Sequence, residues 1–503
     1  MSSSLREMHT MRAWRRLLIA LLACAATAAH GASVDPRVSA QARAAGDADA
    51  LLVMSDQSVP SLAPLGSNAE YHVRRRALVD ALRARADASQ RDLRVWLDAR
   101  GIAHRDFWIA NAIQARLPAA AVVEIAARHD VLRVDANSII AVSLPGADAA
   151  RPAPNVVQSV AWGVAKIQAP AVWALGFTGQ GVVIAGEDTG YQWDHPALQA
   201  HYRGWNGSSA DHNYNWHDAI HDAVGNPCGN SAPAPCDDDG HGTHTAGTFA
   251  GDDGGANQTG VAPGAKWVGC RNMDQGNGTP ARYIECMQWM LAPTDLAGNN
   301  ADPDLAPDVI SNSWSCPPEE GCTPADILQS AVANLVNGGI LYVVAAQNSG
   351  SACSTILDPP GTYDESFVIG ATSSSDALAS FSSRGPVAGS LLIRPDVSAP
   401  GVSIYSSVPT NSYSSNFSGT SMATPHVAGA AALLMSAYPK LKGRPHAIMD
   451  ILRATATHAV TDPVLQTCGG TPITTWPNNM VGYGRIDVLA AYHDVIFMDG
   501  FDG

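Results

Sequence analysis

The sequence predicts an α/β fold for residues 156–495, built on a mostly parallel sheet flanked by helices. Short apolar runs recur in this part of the chain, and segments of helical pattern separate them. Strands that helices cover on both faces need no polar positions, so continuous apolar runs favour a parallel sheet. The first run also ends in an acidic residue and a glycine turn, as expected where an open sheet places a site at its carboxyl edge. The runs are 182–185, 267–268, 309–310, 340–346, 367–370 and the position Val397.

Residues 33–155 follow a different pattern, which predicts a small α+β domain of the ferredoxin-like type. The expected order is strand, helix, two strands, helix and strand. The Arg-rich stretch Arg74–Arg76 is interpreted as a solvated face of the first helix. The elements are a strand at 50–54, a helix at 70–100, a strand pair within 107–117, a helix at 119–129, and strands at 131–134 and 138–142.

Composition limits the partners. The chain has 503 residues, 46% of them hydrophobic and 15% charged, which suits a globular protein with a large core. From Val156 onward it carries 12 basic and 31 acidic side chains, a net charge of −19, against 19 basic and 15 acidic before it. Nucleic acids require clustered positive charge, so they are not expected as partners. No later apolar run approaches about 18 residues, so no transmembrane segment is expected after the N-terminus.

The N-terminus has the pattern of an export signal over residues 1–32. Arg12, Arg15 and Arg16 precede an apolar stretch at 17–29, and small residues follow it. We therefore expect secretion, either to the outside of the cell or to the periplasm. Lipid attachment at Cys24 is the alternative.

The cysteines predict disulfides. Nine are present, and eight remain once Cys24 leaves with the signal, an even number in an exported chain. Short loops favour two of the pairs, and the other two follow by elimination. The expected pairs are Cys228–Cys236, Cys316–Cys322, Cys270–Cys286 and Cys353–Cys468.

Three stretches carry residues suited to nucleophilic catalysis. Asp188 ends the first apolar run, His241 lies in the Gly-flanked segment 239–247, and Ser421 precedes an apolar helix. A serine hydroxyl needs a base to become nucleophilic, and a histidine base needs an acid to fix its tautomer. An isolated Gly-Thr-Ser would be interpreted as a helix cap, but the three stretches together favour catalysis.

In sequence and chain order, these stretches resemble the Asp, His and Ser signatures of the subtilisin-like serine proteases. The resemblance implies peptide-bond hydrolysis through an acyl-enzyme, with Asn348 helping to hold the oxyanion and no cofactor for catalysis. His244 and His426 belong to the signatures but are expected to pack rather than react. The residues expected to line the substrate are Gly276, Asn277, Gly278, Ser313, Trp314, Ser315 and Gln347.

The resemblance extends to the N-terminal domain, which is similar to the family's inhibitory propeptide. It implies that residues 33–155 act as an intramolecular inhibitor and folding template, that 156–495 form the catalytic domain, and that self-cleavage falls near 154–157. The tail 496–503 matches nothing interpretable. Protein and peptide substrates are the expected partners.

Several positions depart from the family pattern. Gln347 stands where glycine is usual, on the wall of the primary specificity pocket, and is expected to narrow or polarise it. Glu187 stands where an apolar residue is usual, and could raise the pKa of a neighbouring acid or pair locally. Ala197 replaces a common calcium ligand, which leaves structural calcium open, with 252–257 as a candidate loop and no ligands assigned. The segment 211–238 is interpreted as a surface insertion.

Two alternatives stay open at this point. The first is a specialised transpeptidase or esterase that uses the same three residues. An esterase would usually show a Gly-x-Ser-x-Gly elbow, whereas here the final position is Ala423. The second is a protease-like binding module without activity, which would require the loss of a catalytic residue.

Overall fold

The computed structural model describes residues 31–60, 70–138, 140–141, 160–323, 325–462 and 464–499. The predicted signal sequence up to residue 30, Cys24, the expected cleavage segment 142–159 and the last four residues lie outside these ranges. Within the described ranges, no helix combines the length and apolar character that crossing a membrane requires.

The N-terminal domain is a five-stranded sheet with three helices, in the sheet order β1-β5-β2-β4-β3. Without β1 this is the strand order of a ferredoxin-like fold, so the predicted fold class is confirmed. The elements are β1 (Ser33–Val34), α1 (Pro36–Ala45), β2 (Asp47–Met54), α2 (Tyr71–Asp98), β3 (His104–Phe107), β4 (Ala112–Pro118), α3 (Ala119–Ala126) and β5 (Val131–Ala136).

The strand expected at 138–142 does not complete this sheet. Instead β6 (Ile140–Ala141) leaves the N-terminal domain and pairs antiparallel with β10 (Asn277–Gly278) of the C-terminal domain. The short strand β1 lies parallel beside β5 at the edge. The pattern of residues 138–142 indicated a strand correctly, but a strand pattern does not name its partner.

The C-terminal domain contains the predicted sheet, with seven strands, all parallel, in the order β14-β13-β12-β11-β7-β9-β8. The strands are β7 (Val183–Asp188), β8 (Trp216–Asp218), β9 (Lys266–Arg271), β11 (Val309–Asn312), β12 (Leu341–Ala345), β13 (Phe367–Thr372) and β14 (Val397–Pro400). Two short antiparallel pairs are also present: β15 (Ile404–Val408) with β16 (Ser412–Phe417), and β17 (Thr467–Cys468) with β18 (Thr471–Pro472).

Helices cover both faces of this sheet. On one face lie α6 and α9, and α9 is buried from Thr420 to Met435, as expected for a helix that is apolar on all sides. The other face carries α7 and α8, and the N-terminal domain packs against them. The helices are α4 (Trp162–Lys166), α5 (Ala169–Ala174), α6 (His241–Ala250), α7 (Pro280–Leu291), α8 (Gln329–Asn337), α9 (Thr420–Ala437), α10 (Pro445–Ala454) and α11 (Val488–Asp499).

The segment 211–238 is more than a surface insertion. Its strand β8 adds the seventh strand to the sheet, and Trp216 is 1% exposed. Asp218 forms a buried ion pair with Arg271, at 3.0 Å. The prediction was wrong here because three strand residues among polar neighbours give no periodic signal.

Four disulfides join the predicted pairs: Cys228–Cys236, Cys270–Cys286, Cys316–Cys322 and Cys353–Cys468. The predicted disulfide pairing is therefore confirmed. Disulfides persist in oxidising surroundings, so they fit a protein that leaves the cytosol.

Candidate active site

Asp188 and His241 come together at the carboxyl edge of the sheet. Asp188 is the last residue of β7, and His241 is the first residue of α6. The His241 Nδ1 lies 2.7 Å from Asp188 Oδ1, and both side chains are buried. Thr245 donates to the second carboxylate oxygen over 3.2 Å, and the backbone N–H of Thr189 donates to the first over 2.8 Å. The carboxylate is thus held, and it orients the imidazole.

A residue that the sequence analysis missed fixes the start of α6. Asp237 is half-buried and accepts hydrogen bonds from the hydroxyls of Thr189 and Thr243 and from the backbone N–H of Gly240. The adjacent Gly242 approaches the Gly190 carbonyl so closely that a Cβ would not fit. The run of three aspartates before Gly240 was the available signal, but an acidic run is more often a solvated loop.

The surroundings of His241 favour its protonated form. Burial opposes the charge, but the Asp188 carboxylate and the charges of Asp239 and Asp237 outweigh it, so the pKa of His241 is raised. The His241 Nε2 is buried and has no hydrogen-bond partner among the described residues. This nitrogen is therefore free to accept a proton.

Ser421 is the second residue of α9, where backbone N–H groups without helical partners concentrate positive charge. It is 3% exposed. Its hydroxyl donates to the Ser313 carbonyl over 3.1 Å rather than to His241. The Ser–His hydrogen bond is thus not formed in this structure.

Asn348 lies beside the same helix start. Its Oδ1 accepts hydrogen bonds from the backbone N–H of Thr420 over 2.8 Å and from the Thr420 hydroxyl over 3.1 Å. These bonds fix which end of the amide is the donor, and they leave the Nδ2 group for another acceptor. The side chain is exposed, as a group that meets a substrate must be. Asn348 and the Ser421 N–H can together act as oxyanion donors.

The expected substrate segments form two edges, and the one at Ser313 contacts Ser421. One edge is β10, whose Asn277 and Gly278 pair with Ala141 and Ile140 of β6. The other is 313–315, which touches the nucleophile directly because the Ser313 hydroxyl donates to the Ser421 carbonyl over 2.9 Å. An extended peptide fits such a place as an added strand.

Comparison with known proteins identifies the family. The model of the subtilase family matches residues 179–484, more than half of the chain. The chain belongs to the subtilase family. It is 35% identical over 441 residues to bacillopeptidase F of Bacillus subtilis, covering 84% of this chain and 29% of that protein. It is 34% identical to subtilisin E of the same organism, covering 71% and 78%, and 36% identical to subtilisin of Bacillus pumilus, covering 60% and 93%.

The predicted serine-protease family is therefore confirmed. The chain spans under a third of bacillopeptidase F but most of the two subtilisins. The match to subtilisin E covers 360 residues.

Two of the residues expected to line the substrate in this subtilase have buried side chains. Trp314 is 2% exposed and stacks on Tyr283, so only its backbone is available at the groove. Gln347 is 7% exposed, and its amide donates to the Asp358 carbonyl over 2.7 Å and accepts from the Leu357 N–H over 3.2 Å. Its φ of 74° lies in the left-handed region, which explains why glycine suits this position.

The remaining acid and histidines of the subtilase signatures are buried. Glu187 lies on the sheet face opposite Asp188, burial raises its pKa well above the ordinary value, and neither oxygen has a hydrogen-bond partner in the described chain. Burial lowers the pKa of His244 to about 3 and that of His426 to about 4. His244 contacts the Ile404 carbonyl, which agrees with a packing role.

The candidate calcium loop is closed by its own hydrogen bonds. Asp253 Oδ1 accepts from the backbone N–H groups of Gly255 and Asn257, and Oδ2 accepts from the Asn257 amide and the Tyr413 hydroxyl. Within the described ranges no group of three or more His, Cys, Asp or Glu side chains is arranged to hold a metal ion. Calcium at this loop stays a prediction.

Proposed function

We propose that the protein is a secreted, self-processing serine endopeptidase that uses Asp188, His241 and Ser421. The observation that carries this proposal is the 2.7 Å hydrogen bond between His241 Nδ1 and Asp188 Oδ1. This bond leaves His241 Nε2 without a hydrogen-bond partner among the described residues, and Ser421 lies at the start of α9. No cofactor takes part in the proposed reaction.

The proposed reaction has two halves. Ser421 Oγ attacks the scissile carbonyl while His241 Nε2 takes its proton, and Asp188 stabilises the resulting imidazolium. The Asn348 amide and the Ser421 N–H donate to the oxyanion. His241 then gives the proton to the leaving amine as the C–N bond breaks. A water molecule, deprotonated by His241, hydrolyses the acyl-enzyme and restores Ser421.

Self-processing is supported by the position of β6. Residues 140–141 of the chain already occupy the strand position beside β10 that a substrate would take. The segment 142–159 follows directly along the chain. We propose that the active site cuts the chain near 154–157, and that the N-terminal domain then inhibits until it dissociates.

The N-terminal domain is suited to this inhibitory role because it contacts the catalytic domain along α7 and α8. Gln288 accepts hydrogen bonds from the backbone N–H groups of Trp108 and Ile109, over 2.7 and 3.2 Å. Asn137 accepts from the Ala281 N–H over 2.9 Å, just before β6 enters the groove. The disulfides and the predicted signal sequence support export.

The test is active-site labelling of the secreted protein with a fluorophosphonate probe, together with hydrolysis of casein. We expect wild type to be labelled and active, and Ser421→Ala and His241→Ala to lose both. Ser436→Ala is a matched control on the same helix, because its buried hydroxyl has no partner in the described chain, and it should keep both. Labelling of Ser421→Ala equal to wild type would contradict the proposal. Ester cleavage without casein cleavage would favour the esterase alternative.

A further inference from the structure

Behind the substrate groove lies a buried stack that the proposed mechanism does not use. It consists of Trp314, Tyr283 and Glu320, and we name it the Glu320 stack. The two rings are parallel, with centroids 3.9 Å apart and planes at 4°. The Tyr283 hydroxyl lies 3.1 Å from each Glu320 carboxylate oxygen. Glu320 is fully buried, so a specific arrangement must offset the cost of burying its carboxyl group.

The Glu320 stack joins the two edges of the groove. Trp314 follows Ser313 on one edge. On the other, the end of the Tyr283 side chain lies so close to the Gly278 Cα that a Cβ at Gly278 would not fit. Gly278 is the β10 residue that pairs with Ile140. A movement of Tyr283 would therefore move the strand on which an extended substrate is built.

The backbone of Glu320 is held by a loop that a disulfide closes. It ends the short helical turn Pro318–Glu320, which lies within the Cys316–Cys322 disulfide loop. The backbone N–H of Cys316 donates to the Pro359 carbonyl over 2.7 Å, which anchors the loop to the next segment. The loop thus presents Glu320 to Tyr283 in one position.

We infer that Glu320 is a positioning residue that, through Tyr283, holds β10 at the place where an extended peptide pairs with it. The inference rests on the proposed endopeptidase function, and it concerns only substrates long enough to reach β10. A short substrate meets Ser421 and Asn348 without needing this strand.

The charge of Glu320 supplies a measurable signature. Burial raises the pKa of Glu320 to about 8, with the Asp358 charge acting in the same direction, while hydrogen bonds from the Tyr283 hydroxyl and the Gly278 N–H and the charge of Arg282 oppose it. An ionised carboxylate accepts stronger hydrogen bonds than a neutral one. We therefore expect β10 to be held more firmly as pH rises through this value.

The test compares two substrates on the protein expressed as the full chain and secreted, after release of the N-terminal domain whose β6 occupies β10. One is a peptide amide with several residues before the scissile bond, and the other is a single-residue ester. Both need the catalytic residues, so the titration of His241 cancels in the ratio of their kcat/KM values. For wild type we expect this ratio to rise about three- to tenfold through pH 8. Glu320→Gln cannot ionise, so its ratio should stay low throughout.

Two further variants complete the design. Glu319→Gln removes an exposed carboxylate from the same loop and should follow wild type. Tyr283→Phe keeps the ring but removes the hydroxyl through which Glu320 acts on β10, so its ratio should stay low as in Glu320→Gln, and this variant decides if Glu320→Gln does not fold. The inference would be overturned if wild type hydrolyses both substrates with a kcat/KM ratio that does not change with pH. It would also be overturned if the ratio of Glu320→Gln rises with pH as that of wild type does. Hydrolysis of neither substrate by wild type would instead contradict the proposed function.

Discussion

The two domains of this chain are stabilised in different ways. The catalytic domain carries four disulfides and buried ion pairs such as Arg271 with Asp218. The N-terminal domain, residues 31–138, contains no cysteine, and its own core consists of small and aliphatic side chains together with Trp96 at its edge. Between them lie hydrogen bonds, ion pairs and a shared apolar cluster.

This difference in cross-linking agrees with the proposal that the catalytic domain persists after secretion and the N-terminal domain is released. A domain that works outside the cell gains from cross-links that limit its unfolded state. A domain that inhibits and then leaves needs only to hold its place until it is released. The interface accordingly uses contacts that can be broken without unfolding the catalytic domain.

The largest effect on stability is expected from removing the Cys353–Cys468 disulfide, which joins residues 115 positions apart. Replacing both cysteines by serine should lower the free energy of unfolding of the catalytic domain by about 4–5 kcal/mol, since the loop is long. Urea unfolding followed by tryptophan fluorescence measures it. The N-terminal domain should keep its own hydrogen-exchange protection, and a loss in both domains alike would contradict the contrast.

A smaller effect is expected at Asn348, which should alter turnover and leave the domain interface unchanged. Asn348→Ala should reduce kcat about 10²- to 10³-fold, a range measured for an oxyanion asparagine in this family. Steady-state kinetics on a peptide amide measures it, with KM nearly unchanged. A comparable rise in KM with kcat intact would assign Asn348 to substrate binding instead.

Gln288 should show the opposite behaviour, acting on the interface and not on turnover. Gln288→Ala leaves the Trp108 and Ile109 N–H groups without their acceptor, at a cost of about 1–3 kcal/mol. The cleaved N-terminal domain should therefore dissociate about 5- to 150-fold more readily. Gel filtration of the cleaved protein measures the fraction retained.

Arg76→Gln serves as the matched control for that measurement. Arg76 pairs with Asp304 across the same interface, but both side chains are more than a third exposed. Such a pair contributes about 0–1 kcal/mol. Equal loss of retention in Arg76→Gln and Gln288→Ala would show that net charge, rather than buried hydrogen bonds, holds the domains together.

Local patterns were enough to predict most of the fold. The apolar runs gave six of the seven strands, and short spacing gave two of the four disulfide pairs, Cys228–Cys236 and Cys316–Cys322. Asp188, His241 and Ser421 stand where their stretches indicated, at a strand end and two helix starts. Each of these signals lies within a short segment, so one sequence is sufficient to recognise it.

What the sequence could not show depends on contacts between distant segments. The pairing of β6 with β10 joins residues more than a hundred positions apart, and strand patterns do not specify partners. The Glu320 stack brings Tyr283 of α7 against Trp314 and Glu320 of a later segment of the chain. At Gln347, the positive φ and the side chain folded onto residues 357–358 follow from the surrounding backbone.

The most direct test of self-processing is mass spectrometry of the secreted wild type beside Ser421→Ala. We expect only the wild type to lose the residues up to about 154–157, where the Pro-, Ala- and Gly-rich tail of the N-terminal domain predicts cleavage. Loss of the segment from both would show that another protease performs the maturation. Retention by both would contradict the propeptide interpretation of the N-terminal domain.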